Sequence, residues 1–392
     1  MVTNMKIVNV EVFKFTTPPP KSTGSTKGVG GAVNWPTDLP WAIYPDIIEH
    51  MNKNVPNIAG GAAVVKITAE NGMYGYGSTG LYRQAAEIIE DVLKPFLIGQ
   101  DCEEIEYLWH IMYLKTSAWG RAGLAMQAIS AVDIALWDLK GKITGQPVYQ
   151  LLGGKVRDKI KVYATGLSFE LYRDMGYKAV KVPRPYGLVD GKEGMKKTVE
   201  CFDWILKTMG DDTEIAIDVW CAWDVEYTIK ISKMLRDYNL RWVEEPVPAD
   251  DYDGYRRIKD ILNAEGILVS GGEHEFSRWG TRKLVENQCV DILQSDIWYT
   301  GGLSEIRKIN ALAKAHNLML VPHCHGMPVF HFSVSSLTSP FAETLLFNQV
   351  LEPSRLFLGE PKVVDGYIDV PDKPGLGYEL NYDWGPCIKL SE

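Results

Sequence analysis

The stretch LRWVEEPVPADD, Leu240–Asp251, ends a short apolar run in two carboxylates, Glu244 and Glu245, with Pro246 directly behind them. A carboxylate at the end of a buried strand is costly unless something compensates its charge. Either the pair sits at a solvated rim or it faces a cation. The neighbouring runs bear on that choice.

On both sides, short apolar runs alternate with amphipathic segments. The runs are IKVYATG (160–166), YKAVKVP (177–183), TEIAIDVW (213–220), GILVSGGE (266–273), CVDILQSD (289–296) and LMLVPHC (318–324). Between them lie helix-like stretches such as TIKISKMLRDYN (228–239) and LSEIRKINALAKAHN (303–317). Strand and helix in strict alternation imply parallel strands with crossover helices. Seven or eight such units predict a closed α/β barrel rather than an open sheet.

Each of five runs carries a polar, chemically able residue at or near its end: Asp218, Glu244, Glu273, Asp296 and His323, separated by 26, 29, 23 and 27 residues. Each step is about one strand–helix unit. The five therefore fall at one height, on successive strands, at the C-terminal face where barrel active sites form. One such acid alone would read as a rim residue. Five converging on one mouth are harder to explain that way. Three carboxylates from neighbouring strands supply hard oxygen ligands suited to Mg²⁺, so Asp218, Glu244 and Glu273 are assigned as metal ligands. Glu245 then stands outside the ligand set.

The N-terminal part reads as α+β. KIVNVEVFKF (6–15) alternates like a strand, and AAVVKITAENGMYGYGSTG (62–80) reads as a hairpin turning at Asn71–Gly72. RQAAEIIEDVLKPFL (83–97) and IEYLWHIMYLK (105–115) have helical spacing. Between strand and hairpin, a Pro/Gly/Ser/Thr-rich segment from about Thr17 to Pro56 carries Trp35 and Trp41. Its length and tryptophans suggest an ordered lid. RAGLAMQAISAVDIALWDLKGKITGQPVYQLLGG (121–154) predicts a helix closed by glycine and proline. The turn-rich tail after Gly359 is expected to fold back onto the small domain. The expected division is a capping domain over 1–125, a barrel over 126–355 and a returning segment over 356–392.

A net charge of −9, with no basic run, argues against a nucleic-acid surface. No signal-peptide pattern opens the chain, and no apolar run approaches the roughly 18 residues of a membrane span. The six cysteines form no C-x-x-C pair, so they are expected to be reduced and structural. A soluble cytoplasmic protein is the expectation.

These motifs resemble the enolase superfamily, in its mandelate racemase/muconate lactonizing enzyme-like branch. The resemblance is carried by AISAVDIALWDLKGKITGQPVYQLLGG (128–154), IDVW (217–220), WVEEP (242–246), SGGEHE (270–275), DILQSDIWYTGG (291–302) and VPHCHG (321–326). Within that branch the chain looks most like L-rhamnonate dehydratases, through YATG (163–166), MGYKAVKVP (175–183), YNLRWVEEPVPADDYDGYRRIK (238–259) and DKPGLGYELN (372–381). The resemblance implies a modified TIM (β/α)7β barrel with an N-terminal α+β capping domain completed by the C-terminal segment. It implies Mg²⁺, and an acid-sugar substrate whose α-proton is removed and whose β-hydroxyl leaves.

In that chemistry His323 is the base and Asp296 orients its imidazole. Glu343 matches the family's position on the eighth strand, where it stabilises the enolate. Where many relatives carry Lys-x-Lys on the second strand, this chain has Lys181 and Pro183. Proline moves no proton, which favours a one-base dehydration over racemisation. Lys181 either contacts the substrate carboxylate or lines the rim. His274 and His325 are assigned to the pocket lining. His323 and His325 share a strand face, but with no third soft ligand in view a zinc site is not assigned there. In the lid, Asn34 and Trp35 stand where rhamnonate dehydratases carry a substrate-binding histidine, and Lys53 lies near a missing arginine, so the specificity lid has changed. The acid is then L-rhamnonate or another aldonate such as D-xylonate, L-arabinonate, D-gluconate or L-fuconate. A homo-oligomer, dimer to octamer, is expected by resemblance.

Overall fold

The computed structural model describes residues 5–16, 61–80, 82–183, 186–345 and 356–390. Asn34, Trp35, Lys53 and the rest of the expected lid lie outside the described residues. The small sheet starts with β1 (Ile7–Phe15), which pairs antiparallel with β2 (Ala63–Ala69). β2 returns as β3 (Tyr74–Ser78) through the Asn71–Gly72 turn, where Gly72 adopts φ +81°. That left-handed conformation explains the glycine.

The long helix Leu124–Thr144 lies directly across β3. A Cβ on Gly77 would come within 2.0 Å of Ala131 O, and one on Gly75 within 2.2 Å of Ala135 O. The alternating glycines of YGYGS therefore let strand and helix backbones touch. Asp138 in the helix is fully buried and links three segments. Its Oδ2 accepts the Tyr76 N–H at 2.9 Å and pairs with Lys142 at 2.8 Å, while Oδ1 accepts the Leu376 N–H of the tail at 2.7 Å.

The large sheet contains eight parallel strands. They are β4 (Ile160–Thr165), β5 (Ala179–Pro183), β6 (Glu214–Asp218), β7 (Leu240–Glu244), β8 (Leu268–Gly271), β9 (Ile292–Leu293), β10 (Met319–Leu320) and β11 (Phe341–Leu345). Neighbours in the sheet run β10-β9-β8-β7-β6-β5-β4-β11, so the eighth strand pairs with the first. The curl is a TIM-like (β/α)7β barrel. Between its seventh and eighth staves, Leu320 N donates to Thr338 O at 3.1 Å.

Two layers fill the barrel. A lower layer, Tyr163, Ala179, Ala216, Trp242, Ile292, Val321 and Phe341, with Leu268 against it, is apolar and comes from all eight strand segments. Side chains on a strand repeat every second residue. Two positions further along each segment stand Thr165, Lys181, Asp218, Glu244, Gln294, His323, Glu343 and Ser270. The apolar floor thus carries a polar deck at the C-terminal end.

The tail contributes β12 (Phe357–Leu358), β13 (Tyr367–Ile368), β14 (Glu379–Leu380) and β15 (Cys387–Leu390). β13 pairs antiparallel with β4, β12 with β14, and β15 with β1. The last strand therefore completes the capping sheet. Among the described residues, no helix is long and apolar enough to cross a membrane.

His331 lies outside the deck, in the helix Met327–Ser335. Its Nδ1 accepts the Tyr149 N–H at 3.0 Å, and its Nε2 lies 3.3 Å from Leu376 O. The ring is therefore neutral and protonated on Nε2. Burial, the dominant cause, lowers its pKa from about 6.5 to about 3. The unfolded chain binds this proton first as the pH falls. The stability held above the unfolded value is therefore lost between about pH 6.5 and 3, at about 1.4 kcal/mol per pH unit for one proton. His331→Asn keeps the Tyr149 acceptor, and should remove one proton from that slope in urea unfolding measured across this window. An unchanged slope would mean that His331 does not titrate with folding.

Candidate active site

Asp218 and Glu244 end adjacent strands in register, and Glu273 follows β8. Their carboxylate oxygens lie within 4.8 Å of one another. Each is held from outside the group. Trp220 N donates to Asp218 Oδ1 at 3.1 Å, and the Trp220 indole N–H donates to Glu273 Oε1 at 2.9 Å. The Trp242 indole N–H, two residues before Glu244 on the same face, donates to Glu244 Oε2 at 3.3 Å.

Lys181 is not at a rim. Its side chain is fully buried, with Nζ 2.5 Å from Glu244, 2.9 Å from Glu343 and 3.3 Å from Asp218. Burial opposes its charge, but those three carboxylates outweigh burial and raise its pKa well above the ordinary value. The rim alternative is thereby corrected: at this register, one layer above Ala179, the side chain points into the deck.

Glu343 accepts from Thr165 Oγ1 and from the backbone N–H of Cys324 at 2.7 Å. Burial works to raise its pKa, but Lys181 and His323 hold it low, near 2. Asp296 Oδ1 accepts the N–H groups of Trp298 and Tyr299, at 2.6 and 3.2 Å. This leaves Oδ2 for His323 Nδ1 at 2.7 Å. A carboxylate there fixes the proton on Nδ1 and turns Nε2, 3.4 Å from Glu273 Oε2, toward the deck. Burial lowers the His323 pKa, yet Glu273, Asp296 and Glu343 outweigh it and push it up to about 10; a cation offsetting Glu273, the largest of these causes, would bring it back down and free Nε2 as an acceptor.

His274 pairs with Glu245 rather than with the trio, Nδ1 to Oε2 at 2.6 Å. His325 Nδ1 lies 3.3 Å from Leu345 N, beside the end of β11. The strand ends are strained. Trp220, Cys221, Glu245 and Cys324, none of them glycine, have φ of +47°, +63°, +44° and +73°. Such conformations cost on the order of 1–3 kcal/mol each and cluster at functional sites. Thr165, Trp220, Ser270 and Gln294 had no individual signal in the sequence, although three of them share the two-residue offset from the floor.

The residues present fit a hard divalent cation. The donor set is all oxygen, and Glu273 Oε2 is buried with no hydrogen-bond donor among the described residues. Burial, with the neighbouring carboxylates adding to it, raises the Glu244 pKa despite Lys181; burial likewise raises that of Glu273 despite His323. The carboxylates there, Asp218, Glu244, Glu273 and Glu343, outnumber the cationic side chains beside them, Lys181 and His323, which leaves negative charge for a cation to offset.

A family model described as "Enolase C-terminal domain-like" matches residues 168–384, and one described as "Mandelate racemase / muconate lactonizing enzyme, N-terminal domain" matches residues 59–153. The chain belongs to the enolase superfamily. Among solved enolase-superfamily relatives is L-rhamnonate dehydratase from Gibberella zeae, 32% identical, covering 97% of this chain and 95% of that one, with a TM-score of 0.87. Rhamnonate dehydratase from Gibberella zeae complexed with Mg gives 32% identity, covering 97% of this chain and 95% of that one, with a TM-score of 0.85. The 3,6-anhydro-D-galactonate cycloisomerase from Zobellia galactanivorans is 30% identical, covering 96% of this chain and 97% of that one, with a TM-score of 0.76.

Proposed function

We propose that this superfamily member is a Mg²⁺-dependent acid-sugar dehydratase, a hydro-lyase that converts an aldonate to a 2-keto-3-deoxy acid, with L-rhamnonate as the first candidate substrate. The observation that carries the reading is that, among the described residues, His323 is placed as a base at the mouth with no second base opposite it. His323 faces the deck on one side, and the position that could oppose it, at the end of β5, is Pro183.

Asp218, Glu244 and Glu273 would hold a divalent cation, which when bound would supply the positive charge that a carboxylate needs as its α-carbon loses a proton. His323 Nε2 takes the C2 proton, and the C–H electron pair moves into the bond between C1 and C2. Asp296 keeps Nδ1 protonated and so leaves Nε2 as the acceptor. The Lys181 ammonium, held in place by Glu343, adds positive charge on the same side to offset the developing negative charge. The electrons then expel the hydroxyl from C3. The proton on His323 passes to that oxygen, water leaves, and the C2–C3 enol collapses to the ketone.

The 3,6-anhydro relative motivates a second reading. A ring oxygen on C3 is also β to the carboxylate, so the same first step would open an anhydro ring.

Incubation with Mg²⁺ and a panel of aldonates plus a 3,6-anhydro aldonate, followed by semicarbazide trapping of 2-keto acids, tests the proposal. A 2-keto-3-deoxy product from one aldonate, dependent on Mg²⁺ and abolished by EDTA, is expected. Deuterium exchange at C2 without keto acid would replace dehydration with epimerisation. Neither signal would leave only a sugar-acid-binding barrel.

A further inference from the structure

Beside the all-oxygen trio the same three strand ends carry a different donor set. Cys221, Glu245 and His274 stand just beyond Asp218, Glu244 and Glu273. Cys221 Sγ lies 3.3 Å from Glu245 Oε2 and 3.9 Å from His274 Nδ1, and those two atoms are 2.6 Å apart. We propose that Cys221, Glu245 and His274 form a second cation site, selective for a thiophilic divalent ion of the zinc class. The inference stands independently of the reaction proposed above.

Donor softness separates the two sites. Three carboxylates suit Mg²⁺, whereas a thiolate and an imidazole with one carboxylate suit zinc. The spacing agrees. For tetrahedral zinc, with Zn–S about 2.3 Å and Zn–N or Zn–O about 2.0 Å, the ligand edges come to roughly 3.5 Å from sulfur and roughly 3.3 Å between nitrogen and oxygen. The His274–Glu245 edge must widen most, by about 0.7 Å, exchanging one hydrogen bond for two metal bonds, while the two sulfur edges adjust by about 0.2 and 0.4 Å. The frame is already locked, since Cys221 N donates to Glu245 O at 2.8 Å and both residues hold left-handed φ. The His274 side chain is 34% exposed, which leaves a route for the ion and a position for water.

Protons balance. Nδ1 of His274 shares its hydrogen with the Glu245 carboxylate, and the thiol donates to the same oxygen. Ligation releases the hydrogens on Nδ1 and Sγ, two protons for one divalent cation, so the net charge of the cluster is unchanged. The plainer reading is a Glu245–His274 ion pair with a thiol nearby. The two readings differ in whether sulfur binds metal.

The test uses the full chain with Mg²⁺ in excess and one equivalent of Cd²⁺. Wild type and Cys324→Ser should show the near-ultraviolet charge-transfer band of a cadmium–thiolate bond, and Zn²⁺ but not Mg²⁺ should abolish it. Cys221→Ser should lose the band and bind zinc roughly tenfold or more weakly in equilibrium dialysis. No band in wild type, or a band that survives in Cys221→Ser, overturns the proposal. Should Cys221→Ser fail to fold, X-ray absorption on zinc-loaded Cys324→Ser decides. One sulfur with nitrogen and oxygen neighbours supports the site, and a shell without sulfur overturns it.

Discussion

His323→Asn should reduce turnover of whichever aldonate the panel selects by roughly a thousandfold or more, within the range that a positioned acid–base group contributes. The asparagine amide can still donate to Asp296 Oδ2, which is fixed by the backbone of Trp298 and Tyr299. The second nitrogen has no counterpart, so the proton acceptor facing Glu273 disappears while the loop stays in place. Two further readouts separate loss of the base from loss of the site. Deuterium incorporation at C2 should vanish together with keto-acid formation. Mg²⁺ binding, followed by calorimetry, should persist, because none of Asp218, Glu244 or Glu273 is altered. If C2 exchange continued at the wild-type rate, another group would be the base. If Mg²⁺ binding were lost, His323 would be holding the trio rather than acting on substrate.

The barrel and the positions of its chemistry were legible because both are periodic. Apolar runs recurring once per strand–helix unit place Asp218, Glu244, Glu273, Asp296 and His323 near one face, and the structure brings these five together. The Asn71–Gly72 hairpin and the glycine-ended helix carried equally local signals. What was not legible depends on neighbours across strands. Lys181 reads as a lone basic residue near a proline, yet its register with Ala216 points it at carboxylates from β6, β7 and β11. The polar deck becomes visible only once the floor is known, because a two-residue offset has no meaning until one face is identified as the inside. Cys221 likewise carried no signal. Its partners lie 24 and 53 residues away, on other strands, and no short cysteine motif encodes such a pairing.

Lys181→Met should produce the largest stability change of any single substitution at the deck. The ammonium is fully buried and lies within 3.3 Å of Asp218, Glu244 and Glu343. Methionine keeps much of the volume and removes the charge, so buried carboxylates lose their nearest compensation. Removing one partner of a buried pair costs roughly 3–5 kcal/mol, in contrast to replacing the whole pair with apolar groups. The metal-free variant in EDTA should therefore unfold several degrees below wild type in a thermal scan. The carboxylates can recover by taking up protons, since Glu244 already stands above its ordinary pKa through burial. The deficit should accordingly shrink as the pH is lowered, because protons relieve the same repulsion that Lys181 relieves. Mg²⁺ should help the variant more than wild type. A ligand that binds only the folded chain stabilises it more the tighter it binds, and without Lys181 no cationic side chain among the described residues pairs with Glu244 or Asp218. A larger Mg²⁺-induced rise in Tm for Lys181→Met than for wild type is the expected result. An equal or smaller rise would mean that Lys181 and the cation do not answer the same negative charge.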